Sequence, residues 1–340
     1  MSEALLSIVM KLTLSMMGSG EATLLFAGDA MMHQAQIEAA RRCGVNSCYD
    51  YSDCFVKIRP LIESADYSVV NLETPLGKNN FTGYPCFNSP VSYATALKEA
   101  GFDMFLTANN HTLDRHDSGL VYTINILDSL GISHIGTYVD AAARDSIIPY
   151  IVDVKGFRIG FLNYTYGTNG ITSRTDVEID YIDNDKIRND ISKTREAGAE
   201  IVVACMHWGV EYVLSPVSSQ KQLADYLVSL GADLVIGGHP HVVEPYEMRH
   251  SDVTGRPVAV TYSLGNFISN MRTRDTRGGA LALVKLKRDS VGEAYVSDCR
   301  YEYIFTVPPS GNRKNFMVYP VDSVPEAWQP AAKAFLRALK

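Results

Sequence analysis

The chain has 340 residues, 46% hydrophobic and 20% charged, an ordinary globular composition. Its formal net charge is −7 and it has no long basic tract, so a nucleic-acid backbone is excluded as the expected main partner. Its six cysteines include no C-x2-C pair, so Cys43, Cys48 and Cys54 are expected as free thiols or one disulfide rather than a zinc site.

Residues 1–21 read as a leader. The stretch is apolar but interrupted by Lys11, and Glu3 is its first charge, which leaves a degenerate export segment or a strand-like or disordered extension. A single domain is expected over 22–340. Its first buried strand, "ATLLFAGD", ends at Asp29, and a short helix follows over 34–42. A second helical pattern over 53–65 is interrupted by Pro60. The strand "YSVVNLE" ends on Glu73. The helix "SYATALKEAG" closes at Gly101, a C-cap signal. "FDMFLTANNH" ends on Asn110 and His111, and 117–130 shows Leu120, Ile124 and Leu127 at helical spacing.

The second half opens with two strand runs about a Lys155-Gly156 turn. A helix over 184–197 leads to "EIVVACMHWG", which ends at His207. A helix over 217–230 leads to "DLVIGGHPH", which ends at His239 and His241. Another hairpin spans 243–249 and 257–263, strands follow over 280–287 and 296–306, and a last helix covers 325–339. Strands alternating with helices imply βαβ units. The simplest architecture is one α/β domain with two sheets packed face to face and helices outside.

In such folds ligands bind beyond the carboxyl ends of the strands. All five of the buried strand ends carry a polar signature: Asp29, Glu73, Asn110-His111, His207 and His239-Pro240-His241. Each alone has a structural reading, as a helix cap or a hydrogen-bonded core residue. Five together point to one shared site. Carboxylate, amide and imidazole donors suit divalent Mn, Fe or Zn. Six such ligands with one carboxylate to bridge can hold two ions and leave an open position for an ionisable water. His111, beside a candidate ligand, points elsewhere and is a candidate proton donor. Asp114 either orients that ring or caps the following helix. "MRTRDTR" places Arg272, Arg274 and Arg277 where they hold an anionic substrate or form a solvated loop.

The strings "FAGDAM", "NLETPL", "TANNHTLD", "HWGVEY", "GGHPHVVEP" and "YSLGNF", in this order, resemble the CapA family of poly-γ-glutamate capsule-biosynthesis proteins. That family is similar to the calcineurin-like metallophosphoesterases. The resemblance implies a four-layer α/β/β/α sandwich around two metal ions. It also implies Asp29 as the first metal aspartate, Glu73 in the bridging position and Asn110 as a ligand. By the same resemblance His111 is the proton donor, His207 a ligand, and His239 and His241 one ligand to each ion. The expected division puts His239 with Asn110 and His207, and His241 with Asp29. The superfamily's opening Asp-x-His reads Asp-x-Met here, at Met31, a poor ligand for a hard ion. His33 is the candidate replacement. The implied partner is an anionic envelope polymer or a phosphoester, with other capsule-synthesis proteins, at the cell envelope. Two activities stay open: hydrolysis or transfer at the polymer, and metal and polymer binding without turnover.

Overall fold

Runs that are apolar at every position, such as Leu24–Ala27 and Ile201–Met206, form strands buried on both faces. The computed structural model of the chain describes residues 20–44 and 48–339, so most of the expected leader lies outside the described residues. In chain order the first half contains β1 (Glu21–Ala30), α1 (Gln34–Cys43), α2 (Arg59–Ile62), β2 (Tyr67–Leu72), β3 (Leu76–Gly77), β4 (Ser89–Pro90), α3 (Val91–Glu99), β5 (Met104–Leu106), α4 (His116–Ser129), β6 (Ser133–Ile135), β7 (Thr137–Tyr138) and α5 (Ala141–Ile147). The second half contains β8 (Tyr150–Val154), β9 (Phe157–Thr165), β10 (Glu178–Ile179), α6 (Asn184–Glu196), β11 (Ile201–His207), α7 (Ser218–Ser229), β12 (Leu234–Gly238), β13 (Tyr246–His250), β14 (Pro257–Thr261), β15 (Asn266–Ile268), β16 (Gly278–Arg288), β17 (Ala294–Val307), β18 (Met317–Pro320) and α8 (Gln329–Ala338).

Two mixed sheets carry the fold. The first is eight-stranded, ordered β18-β17-β16-β1-β2-β5-β6, with β15 added at the end of β1. The second is six-stranded, ordered β13-β14-β12-β11-β9-β8. Strands β1, β2, β5 and β6 run parallel, as do β9, β11, β12 and β14. Side-chain alternation along β1 sorts the core into layers. Leu24 and Phe26 join Phe161, Val203 and Ile236 of the second sheet, while Leu25 and Ala27 join Ile37 of α1 and Leu97 of α3. Ile187 and Ile191 of α6 and Leu227 of α7 close the far side. The result is the expected α/β/β/α sandwich. Each such buried aliphatic or aromatic side chain is worth about 1.5–3 kcal/mol.

Two helices differ from expectation. The pattern over 53–65 yields only α2, and Pro60 lies in its first turn, where a missing N–H costs nothing, so it starts the helix rather than interrupting it. The last helix begins at Gln329, after a 3-10 turn over Glu326–Trp328. The hairpins about Lys155-Gly156 and over β13–β14 form as expected. All six cysteines are free thiols.

Candidate metal centre

The carboxyl ends of β1, β2, β5, β11 and β12 meet where the two sheets touch, and the five polar signatures converge there. β1 changes partner at its end. It pairs with β16 as far as Ala27, and Asp29 then pairs with Asn266 of β15. The register against β2 also shifts between Ala27 and Asp29, a bulge that re-aims the Asp29 side chain. Gly28 is obligatory in that step, because a Cβ there would lie 1.9 Å from the Gly265 carbonyl oxygen.

Gly237 and Gly238 do not make the turn that follows β12. Both continue the strand, and their small size answers close approach instead. A Cβ on Gly237 would lie 1.9 Å from the Tyr262 carbonyl oxygen, and one on Gly238 would lie 2.9 Å from the Asp29 carboxylate. The turn is carried by the histidines, with φ of 97° at His239 and 59° at His241. Non-glycine residues in this region cost about 1–3 kcal/mol each and persist where surrounding structure imposes them.

Asp29 is fully buried and its oxygens are taken up. Asn71 Nδ2 donates to Oδ1 at 2.8 Å. The His239 N–H donates to Oδ2 at 3.2 Å, and His241 Nδ1 lies 3.1 Å from the same oxygen. An Nδ1–H directed at Asp29 leaves the lone pair of His241 on Nε2, which faces Glu73 Oε1 at 3.7 Å. His207 Nε2 lies 3.6 Å from the same Glu73 oxygen and 2.9 Å from Asn110 Oδ1.

Glu73 is the centre of this arrangement. It is fully buried, and neither carboxylate oxygen has a hydrogen-bond partner. Burial, then the charges of Asp29, Glu211 and Asp114, holds its carboxyl well above the usual carboxylate range. The buried Nδ1 of His239 is likewise unpartnered. Burial, reinforced by the neighbouring His239, holds His207 well below the ordinary imidazole range, and burial with His241 pushes His239 down to about 3. Neutral imidazoles keep their lone pairs free for a divalent cation, and a cation beside Glu73 would displace the proton that burial favours there. Donor atoms bound to one Zn-like ion at about 2.0–2.2 Å sit about 3–3.5 Å apart, close to the separations around Glu73. The residues present therefore fit divalent ions.

Two groups of three side chains bring one donor atom each within 4.8 Å of one another: Asp29, Glu73 and His207, and Glu73, His239 and His241. Glu73 belongs to both. The closest pairs, His241 with Asp29 and His207 with Asn110, follow the expected division, whereas the triads cross it. His239 is grouped with His241 rather than His207, although the His207 and His239 rings lie 4.8 Å apart.

His111 is buried, with Nδ1 2.8 Å from Asp114 Oδ2 and its ring edge-on to Phe87 at 4.5 Å. Asp114 does not cap a helix. The N-cap of α4 is Arg115, and Asp114 Oδ2 also accepts the Phe87 N–H at 2.7 Å. Asp114 therefore fixes the ring of His111 and the chain beside it.

Residues 23–271 match the family described as bacterial capsule synthesis protein PGA_cap. The chain belongs to this family. The PGA biosynthesis protein CapA of Bacillus subtilis (strain 168) is 27% identical over 279 residues, covering 80% of this chain and 70% of that protein. The capsule biosynthesis protein CapA of Bacillus anthracis is 27% identical over 276 residues, covering 78% of this chain and 64% of that protein. A sizeable part of each relative thus lies outside the match. Among solved structures, the Haemophilus influenzae NAD nucleotidase (NadN) superposes with a TM-score of 0.54 at 13% identity, covering 94% of this chain and 63% of that one. A putative 5'-nucleotidase from Staphylococcus aureus gives 0.52 at 15% identity, over 93% and 58%. The likeness is one of fold, the metallophosphoesterase sandwich.

Within this PGA_cap domain the remaining candidates separate. His33 stands outside both ligand groups. Its Nδ1 lies 3.3 Å from the Asn270 N–H and 3.3 Å from Gln36 Oε1, so that nitrogen is engaged by its own surroundings. Met31 is buried. Arg274 is drawn away by Asp275, with both ends of its fork on that carboxylate at 2.6 and 3.0 Å. Arg272 and Arg277 instead line a cavity beside the centre.

Two residues that sequence reasoning passed over organise the centre. Asn71 donates to Asp29, lies 3.3 Å from His207 Nδ1, and accepts from Asn109 Nδ2 at 3.2 Å. Asn109 also accepts the His111 N–H at 3.2 Å. Both stand inside the quoted strings "NLETPL" and "TANNHTLD". Asn71 is a polar residue near the end of the mostly apolar strand β2, and Asn109 lies in the turn after β5, next to the Asn110-His111 pair.

Proposed function

We propose that the chain is a metal-dependent hydrolase or transferase of capsule synthesis, acting at the cell envelope on an anionic polymer of the poly-γ-glutamate type or on a phosphoester. The observation that carries this reading is Glu73, a buried carboxylate whose two oxygens have no partner and which faces two imidazoles. Asp29, Glu73 and His241 would hold one divalent ion, and Glu73, Asn110, His207 and His239 the other. Bound there, such ions supply Lewis acidity and bring the ionisation of a water toward neutral pH.

The chain's own residues supply the rest. His111 stands beside Asn110 with Nδ1 held by Asp114, so its Nε2 is the end free to give a proton to a leaving group. Phe87 packs on its ring and limits its rotation. Tyr166, half-exposed, covers His239 at 4.6 Å between ring centres and shields that imidazole from solvent. No helix among the described residues is long and apolar enough to cross a membrane.

The test is turnover by Mn-, Zn- or Fe-loaded protein on a phosphomonoester, a phosphodiester and a γ-glutamyl panel. His111→Ala is expected to lower turnover about 10²- to 10⁴-fold, the range for a lost general acid. Absence of turnover above that variant on every substrate would sink the enzymatic reading. A second reading, metal and polymer binding without turnover, is favoured by Asp29, whose oxygens are already occupied by three donors.

A further inference from the structure

Beside the metal centre lies a cavity of about 380 Å³, within the range of small-ligand sites. Its walls are α1, through Glu38 and Arg42; the 269–277 loop, through Asn270, Arg272 and Arg277; and the chain after β17. Three arginines and one glutamate are among the residues that line it, on a chain whose overall charge is −7. Among the described residues, none of Arg42, Arg272 and Arg277 has an acidic partner within ion-pair distance. Arg277 is fixed by its own surroundings: its guanidinium packs over Trp328 at 5.1 Å and donates to the Arg272 carbonyl at 3.4 Å. Burial, followed by the charge of Arg272, lowers the pKa of Arg277.

The loop that carries Arg272 and Arg277 is tied to the candidate centre through Asn266. Asn266, paired with Asp29 across β1 and β15, donates to the Thr276 carbonyl at 2.9 Å and to the His241 carbonyl at 3.4 Å. The Asn270 N–H donates to His33, whose ring packs on Phe87 at 5.5 Å, and Phe87 packs on His111. The cavity wall and the candidate proton donor are thus joined through the Asn270 N–H and the rings of His33 and Phe87.

We infer that this cavity is a subsite that holds successive carboxylates of an anionic chain while another part of that chain lies at the metal centre. It rests on the polymer reading of the proposed function. Guanidinium forks match carboxylates in two-point contacts. Three forks spread around one open cavity suit a chain of single charges better than one compact ion. Arg42, on α1, is the member that sequence spacing does not reveal, because it lies 230 residues from Arg272 and reaches the cavity only through the fold.

Calorimetric titration with a γ-linked glutamate decamer at low salt tests the inference on the full chain. The wild type is expected to bind, and Arg42→Ala/Arg272→Ala to bind about tenfold or more weakly, the size of lost charge-assisted hydrogen bonds. Arg41→Ala/Arg300→Ala, which changes net charge equally outside the cavity, is expected to bind as the wild type does. Glu38→Gln removes the one acidic group among the described lining residues and is expected to tighten binding, a gain that misfolding does not produce. Equal affinity of wild type and Arg42→Ala/Arg272→Ala, or wild-type binding of inorganic phosphate or of the amidated decamer as tight as that of the decamer, would overturn the subsite. The metal-centre variant Glu73→Gln separates the two readings. Retained decamer affinity in Glu73→Gln supports a subsite independent of the ions. Lost affinity there with full affinity in the arginine variant overturns the subsite and leaves the metal reading standing.

Discussion

The two halves of the centre reach Glu73 by different routes. Around His207, the donors come from three strand ends, and the His239 nitrogen among them is unpartnered. Around Asp29, the carboxylate is already satisfied by Asn71, the His239 N–H and His241, and the position where the superfamily's opening pattern has a histidine is Met31. The first half keeps a buried donor nitrogen open. The second has its carboxylate hydrogen-bonded within the protein. The same buried glutamate can therefore sit between a strong ion site and a weak one, and the expected order of filling runs from His207 toward Asp29.

The largest expected effect comes from removing what the halves share. Glu73→Gln keeps the volume and deletes the charge. Added Mn at a hundredfold excess over its dissociation constant is expected to stabilise the wild type by about 2.7 kcal/mol in thermal melts. That stabilisation should vanish in the variant. Without metal the sign reverses: the variant loses a buried, partnerless carboxylate and should melt no lower than the wild type at pH 8. Unchanged metal response in Glu73→Gln would break the comparison at its centre.

A smaller effect separates Glu73 from a buried acid that faces no histidine. Glu244 has one unpartnered oxygen, while the other accepts from Gln220 at 2.7 Å. Burial pushes its carboxyl up to about 7, against an ordinary value of 4.5, despite the Gln220 bond. The folded chain therefore holds this proton longer than the unfolded chain. Its contribution to stability is full below pH 4.5 and is lost as pH rises through 7. Glu244→Gln should stabilise the protein by about 2 kcal/mol at pH 8 and by little at pH 4.5, measured by denaturant unfolding at both pH values. Unlike Glu73→Gln, it should leave the metal response intact.

The smallest effect sharpens the weak half. Met31→His restores the Asp-x-His pattern and is expected to tighten the second Mn about tenfold in a two-site titration, while the first is unchanged. Tightening of the first site instead would show that the halves had been assigned the wrong way round.

The strand ends that build the centre were legible because each closes a run of apolar residues, and the layered architecture followed from their alternation with helices. What was not legible depends on contacts between distant segments. The glycines before His239 look like turn residues, yet they answer the Tyr262 carbonyl and the Asp29 carboxylate, and the histidines take the left-handed backbone. Pro60 looks like a helix breaker, but only the turn geometry before it shows that it starts the helix. Asp114 had two equal readings until Phe87 and His111 were placed on the same oxygen. Arg42 and Arg272 were unrelated in sequence until α1 and the 269–277 loop enclosed one cavity.

The most direct test of two ions bridged by Glu73 is anomalous diffraction from crystals of the Mn-loaded protein. Two peaks are expected, one on each side of the Glu73 carboxylate, with the stronger beside Asn110 and His207. A single peak away from Glu73, or no peak at full Mn loading, would contradict the two-ion centre.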